Sequence, residues 1–489
     1  MSPITTRPAS LFAPEERFLS ESGCHDLIDR IQRLRTSEGD VFINVNSRWT
    51  GNLRWARNDI ISAGDTINHR IMVQRSHDGA SAYLNINRLD DESIREALEY
   101  IERQMRFRST TQFSPPQRKS EKYLETNLWS DATFNVDAAA RAELQRSLVE
   151  PALAEGLLSA GYIQVSASGN GVANSAGLFA YQPATEAEYS VTVRNSTGTG
   201  SGWAGMDNLD WRKIDTAKIS SVALDKCKRS ADPVAIEPGR YDVILEPQAV
   251  ADLMYNLIFS LQRRPAEMGQ GPWADRPMQA GGSSSAVIGS AGAFDDGDGA
   301  GGGGGGGGNS KIGQLVLDRR ITISADPTDP EMPFLPFYYD GSPNRPVKWI
   351  ENGMLKQLAY DRWYAVQRLN KPDPLNNMNA YRMSGGTTSL DEMIASTDRG
   401  LLVTRLVNVR LVDYNSLLCT GTTADGVWLI ERGEITHPVK NFRFRESPLF
   451  AFNNLESLGP PVRVLKPYPT IVPMAKVLDF SMTSLADAV

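Results

Sequence analysis

An α+β architecture in two parts follows from three features of the chain. Two N-terminal stretches each run from antiparallel strands into a helix, the C-terminal half is rich in short strands, and a glycine-rich segment interrupts that half. At 489 residues the chain exceeds one ordinary core. The expected division is an N-terminal α+β domain over 1–235 and a mainly β domain, sheet or barrel-like, over 236–489.

The N-terminal part reads as two weakly similar (β-β-β-β-α) units, about 40–105 and 160–230, built of antiparallel meanders and helices. A helix over Glu21–Arg35 comes first, with Leu27, Ile28, Ile31 and Leu34 on one face. Four strands follow, 41–45, 52–56, 70–74 and 81–86, the last two joined by a His77-Asp78-Gly79 turn. Asp91 is placed to cap a helix in which Ile94, Ala97, Leu98, Ile101 and Met105 keep helical spacing. Residues 106–120 read as a linker. A helix over about 137–158 opens the second unit, with strands 161–166, 177–181, 188–194 and 201–205. Its closing helix carries Ile219, Val222, Ala223 and Cys227 on one face.

Tyr241–Arg264 is a short apolar strand, Val243-Ile244-Leu245, followed by a helix that Pro247 can start. The helix is apolar around most of its circumference, so it belongs deep in a domain. It holds no His and no Cys, and the carboxylates of the unit are Asp242, Glu246 and Asp252. Residues 266–312 read as a flexible insertion, including the tract Gly301–Gly308. That tract lacks the Lys-Ser/Thr of a phosphate loop, and Asp295, Asp296 and Asp298 lack the distal Glu of an EF-hand. Beyond it, 321–323, 401–405 and 476–480 read as strands. Hairpins turn at Asn352-Gly353 and Arg432-Gly433, and a helix spans 361–369.

The composition, 41% hydrophobic and 22% charged, is that of a globular protein. A net charge of -7 and a pI near 5.4 argue against a general nucleic-acid binder. Trp49 and Trp55, interleaved with Arg48, Arg54 and Arg57, fit an ordinary strand with Trp inward and Arg outward. No apolar run reaches the roughly 18 residues of a membrane span. The N-terminus has no apolar core of signal-peptide length. Cys24, Cys227 and Cys419 are far apart and odd in number, which fits reduced thiols and a cytoplasmic location. His25, His69, His77 and His437 form no metal-ligand pattern, and no motif pairs a Ser, Thr or Cys nucleophile with a base.

Several segments, in order, resemble the TldD/TldE (PmbA) metallopeptidase family. They include Arg54-Trp55-Ala56-Arg57-Asn58, Phe337–Pro343, Trp349-Ile350-Glu351-Asn352-Gly353, Gly400–Arg405, Leu429–Ile435 and Pro473-Met474-Ala475-Lys476-Val477. The resemblance covers the chain from about residue 40 to its end. It implies an intracellular assembly of a catalytic subunit and a non-catalytic sister acting on extended peptides. The catalytic subunit holds zinc through the two His of HExxxH on one helix and a Cys near the C-terminus. This sequence has Ala251-Asp252-Leu253-Met254-Tyr255-Asn256-Leu257-Ile258-Phe259 at that place and neither His nor Cys in 455–489. The expectation is a TldE/PmbA-like subunit with no catalytic residue and no metal ligand of its own. Zinc is then expected on an HExxxH-bearing partner, with a homodimer as the alternative and no membrane association.

Ser384-Gly385-Gly386-Thr387-Thr388-Ser389 reads as a turn between strands whose glycines let another backbone approach. Gly385, Gly386 and Thr387 are therefore candidates for contacting a peptide. Thr404 and Arg405 are similar to a family motif at the cleft, with a strand Thr and a structural Arg salt bridge as the other reading. Two further functions compete: a homodimeric peptide-binding or scaffold protein without a proteolytic role, and a hydrolase with an unconventional site.

Overall fold

The computed structural model describes residues 13–107, 115–275, 310–376 and 380–486. Gly301–Gly308, Asp295, Asp296 and Asp298, most of the glycine-rich insertion and part of the 106–120 linker lie outside the described residues. The architecture is α+β.

The first unit contains α1 (Glu21–Leu34), β1 (Asp40–Ala56), β2 (Asp59–His77), β3 (Ala80–Ile86) and α2 (Asp91–Met105). The helix N-cap is Asp90 rather than Asp91, its carboxylate accepting from Ser93 N. The turn between β2 and β3 is as expected, with Asp78 and Gly79 both at positive φ. The meander, however, has three strands, not four, because 41–45 and 52–56 are two ends of one strand. Ser47 and Gly51 sit at core-facing positions between Val45, Trp49 and Leu53 and so break the apolar alternation. Gly51 leaves the space that the Arg141 guanidinium occupies against the strand.

The second unit repeats this plan with α3 (Asp131–Phe134), α4 (Ala138–Ala154), β4 (Leu158–Asn174), β5 (Phe179–Arg194), β6 (Ser201–Asn208) and α5 (Thr216–Arg229). The segments 177–181 and 188–194 are again one strand. Pro183 interrupts the pattern, yet it is tolerated because β6 pairs only with Ala187–Arg194 and leaves Pro183 at an edge. All six strands form one antiparallel sheet in the order β3-β2-β1-β4-β5-β6. β1 and β4 meet at its centre, so the two units are arranged as halves about that pair. Helices α1 and α2 cover one half and α4 and α5 the other, on the face that carries Val41, Ile43, Trp49, Trp55, Ile163 and Tyr189. The opposite face is mostly polar, with an apolar patch of Phe42, Val172 and Ala180 that packs against Phe337.

The second sheet has eleven strands. β7 (Gly239–Leu245) leads into α6 (Pro247–Ser260) and α7 (Arg263–Glu267). Then come β8 (Ile323–Ala325), β9 (Val347–Glu351), β10 (Met354–Leu355), α8 (Arg362–Leu369), β11 (Tyr381–Met383) and α9 (Leu390–Ala395). The chain closes with β12 (Arg399–Asp413), β13 (Leu418–Glu431), β14 (Glu434–Pro438), β15 (Phe442–Glu446), α10 (Pro448–Ala451), β16 (Leu455–Val464) and β17 (Thr470–Leu485). β17 pairs with both β15 and β7, so β7-β12-β13-β15-β17 close into a ring. Ala249, Val250, Leu253, Met254, Leu257 and Ile258 of α6 join the inward residues of those strands in one core. Both Asn-Gly and Arg-Gly hairpins form where expected, with positive φ at each turn residue. No helix among the described residues is long and apolar enough to cross a membrane.

Candidate functional site

The unit that would have to carry a metal is β7-α6, and its sequence builds it plainly. Gly400–Val403 of β12 pairs in parallel with Asp242–Leu245 of β7, which fixes the helix start. Glu246 is the N-cap and Pro247 occupies the first turn, where a missing N–H costs nothing. Glu246 N donates to Val403 O at 3.0 Å, and the Glu246 carboxylate pairs with Lys226 of α5.

On the polar side of α6 the carboxylate of Asp252 is almost fully buried. It accepts from Leu406 N at 2.9 Å, from Gln248 Nε2 at 3.1 Å, and from the Lys466 ammonium. Lys466 lies in the β16–β17 connection, whose Leu465 carbonyl accepts from Gln248 Nε2 at 3.2 Å. The ammonium stands 5.8 Å from the Tyr255 ring centroid, and Phe259 packs against Tyr255 and Tyr468. The connection is thereby clamped onto the helix. These residues do not fit a divalent cation. Both oxygens of the carboxylate are engaged by donors, and the nearest charge is itself positive.

The histidines are dispersed. His25 stacks on Phe179 at 3.7 Å, His69 bonds Ser47 Oγ at 2.9 Å, and His77 meets Asp78. Among the described residues no three His, Cys, Asp or Glu groups are placed to hold a metal ion. Cys24, Cys227 and Cys419 are fully buried, and burial pushes the thiols up to about 12, 11 and 11 respectively.

The other candidates fall into two places. Gly385 and Gly386 are not between strands: the segment runs from β11 into α9, whose N-cap Ser389 forms a capping box with Glu392. A close backbone approach does occur there, but the neighbour is β16 of the same chain. A Cβ on Gly385 would lie 2.5 Å from Gly459 O, one on Gly386 would collide with Leu458 O, and Gly386 N donates to Gly459 O at 2.9 Å. Thr387 is exposed beside them. Thr404 and Arg405 lie at the bulge in β12 opposite Asp425 and Gly426. Thr404 is buried with no hydrogen-bond partner for Oγ1. Arg405 makes the structural salt bridge, 3.3 Å to Asp425, and lies 4.2 Å over the Trp203 ring. Asp425 in turn accepts from Ser201 Oγ at 2.6 Å, which ties β12 and β13 to β6 of the first sheet.

The polar face of the first sheet holds a carboxylate row that sequence reading passed over. Glu188 and Asp207 are register partners on β5 and β6, with Glu186 two residues away. Arg48 pairs with Glu186 at 2.5 Å and Arg463 with Asp207 at 2.6 Å, leaving Glu188 with no direct salt bridge among the described residues. Burial, with Glu186 and Asp207 nearby, pushes Glu188 up to about 7, and burial takes Asp207 up to about 6 despite Arg463. Glu-x-Glu on an alternating strand was the available signal. Asp207 and Arg463 are far apart in sequence.

No curated protein matches the chain. Among solved structures it is similar to TldE from Thermococcus kodakarensis, with 17% identity, a TM-score of 0.76 and coverage of 94% of this chain and 99% of that one. A Thermotoga maritima protein described as a candidate modulator of DNA gyrase matches with 16% identity, a TM-score of 0.76 and coverage of 94% and 99%. A Bacteroides thetaiotaomicron protein with the same description matches at 14% identity, a TM-score of 0.74 and coverage of 95% and 100%. At these identities the likeness establishes the fold. The family model for the PmbA/TldA metallopeptidase C-terminal domain matches residues 307–484. With that domain match at its C-terminal end, and the fold of TldE along nearly its whole length, the chain is similar to the TldD/TldE (PmbA) proteins.

Proposed function

We propose that this chain is a TldE/PmbA-type subunit, working beside an HExxxH-bearing sister that supplies the zinc and acts on extended peptides. The observation that carries the reading is the Asp252–Lys466 pair on α6. A buried ammonium bonded to the helix's one inner carboxylate is incompatible with a dication at the same carboxylate. What this chain contributes on that reading is shape: strands and the clamped 465–469 connection form walls against which a peptide main chain can lie. Gly385, Gly386 and Thr387 remain candidates for that wall through the exposed Thr387 and Gly385. Thr404 and Arg405 support it from behind.

The test is purification of the chain alone and after co-expression with the sister, followed by zinc analysis and cleavage of unfolded peptides. The expected result is no stoichiometric zinc and no cleavage by the chain alone, with both appearing in the co-purified complex. Stoichiometric zinc and cleavage by the isolated chain would overturn the proposal in favour of an independent hydrolase. A chain that ignores the sister would favour a scaffold.

A further inference from the structure

The carboxylate row on the polar face of the first sheet holds one acid more than its salt bridges use. Asp207 is 5% exposed, and its Oδ2 accepts from Arg463 at 2.6 Å. Its Oδ1 is buried and has no hydrogen-bond partner. Glu188, the register partner of Asp207, stands on the same face, and opposite residues of an antiparallel pair lie roughly 4.5–5.5 Å apart at Cβ. The charged and titratable groups around the two are committed elsewhere. Arg48 holds Glu186, and Arg463 also donates to the Glu331 carbonyl at 2.7 Å. Arg54 is exposed and lies 5.4 Å over the Tyr162 ring, while the Tyr162 hydroxyl donates to Gln164 Oε1 at 2.8 Å. An unpaired carboxyl beside an orphan carboxylate oxygen, both withdrawn from water, is costly until a donor reaches the two. In the free chain a proton meets part of that need, because burial raises the Glu188 carboxyl to about 7.

Two features select the occupant. Among the described residues no three His, Cys, Asp or Glu groups are placed to hold a metal ion, which leaves a cation bound through hydrogen bonds. A primary ammonium brings one charge and three donors, enough for Glu188, for Asp207 Oδ1 and for water. The row is reachable, since the Glu186 side chain is 45% exposed. It also borders the 465–469 connection. Arg463 lies near the end of β16, and Leu465 Cδ2 stands 3.0 Å from where a Cβ on Gly205 would lie, on the strand and face that carry Asp207.

We propose that Glu188 and Asp207 bind a primary ammonium of a peptide lying along the 465–469 connection, either its amino terminus or a lysine side chain. The inference rests on the peptide reading above and adds which part of the peptide is recognised. The ammonium displaces the Glu188 proton to solvent. Each of the three carboxylates then has one cation: Arg48 for Glu186, Arg463 for Asp207 and the ligand for Glu188.

Calorimetry on the full chain at pH 7, with a short Gly/Ser peptide in three forms, tests this. One form has a free amino terminus, one is N-acetylated, and one is N-acetylated with a single central lysine. At least one ammonium-bearing form should bind about tenfold or more tightly than the acetylated lysine-free form, and which one does so names the source of the ammonium. Repeating the titration in a buffer of different ionisation enthalpy should show about half a proton released per ligand, because Glu188 is about half protonated at that pH. Glu188→Gln should erase both the preference and the proton release. Equal affinity for all three peptides, binding of none, absence of proton release, or a preference that survives Glu188→Gln would each overturn the proposal. Zinc and cleavage in the co-purified complex without this preference would remove the ammonium site alone. The preference without cleavage would uphold the site and remove the peptidase reading.

Discussion

Replacing Lys466 by Met tests the clamp on α6 directly. The side chains of Asp252 and Lys466 are 7% and 14% exposed, so the pair belongs with buried ion pairs rather than with surface ones. Surface pairs contribute about 0–1 kcal/mol. Removing one member of a buried pair costs about 3–5 kcal/mol, because the other charge is left desolvated. In Lys466→Met the carboxylate keeps only Leu406 N and Gln248 Nε2. A neutral partner is expected to relieve that cost. Asp252→Asn retains an oxygen for Leu406 N, so the double variant Asp252→Asn/Lys466→Met should regain most of the loss. Hydrogen exchange of the α6 amides reads the effect locally. At about 1.4 kcal/mol per factor of ten, protection should fall by roughly 100- to 4,000-fold in the single variant and far less in the double. Equal protection in the single and double variants, or a single-variant loss below about tenfold, would show that Asp252 is not held by its cation.

Three further outcomes follow from burial and close packing. Glu188 is raised from 4.5 to about 7 in the fold, so the unfolded chain ionises first and stability falls as pH rises between those values. Glu188→Gln should therefore gain in melting temperature over wild type from about pH 4.5 to 7 and hold that gain above; a difference independent of pH would refute the assignment. Gly386→Ala forces a Cβ onto Leu458 O and should destabilise the β11–α9 segment by about 1–3 kcal/mol in urea unfolding, more than Thr387→Ala at the exposed neighbouring position. All three thiols should resist a soluble disulfide reagent at pH 8 and react together only on denaturation, and early release of one would mean local opening around it.

Much of the fold was legible because local chemistry dictated it. Turn residues at positive φ placed three hairpins, and Pro247 and the unbroken apolar circumference of α6 placed the central helix. What misled was small or rigid residues at regular positions. Ser47, Gly51 and Pro183 each made one long strand look like two. Of the site, the absence of His and Cys on α6 could be read directly. Its replacement could not, because Lys466 is 214 residues from Asp252 and no local pattern links them. The glycines of 384–389 announced a close backbone contact correctly, but only the folded chain identifies β16 as the neighbour.

The pairing of β1 with β4 at the centre of the first sheet has a consequence for synthesis. Trp55 of β1 lies opposite Gly161 of β4, so about 106 residues must be translated before that contact can form. At about 5–20 residues per second, β1 emerges and waits roughly 5–20 s with its inner edge unpaired. The nascent first half is complete in sequence yet lacks its neighbour during that interval. A ribosome pause between residues 56 and 161 would lengthen the wait, and this is where a co-translational chaperone would be most needed.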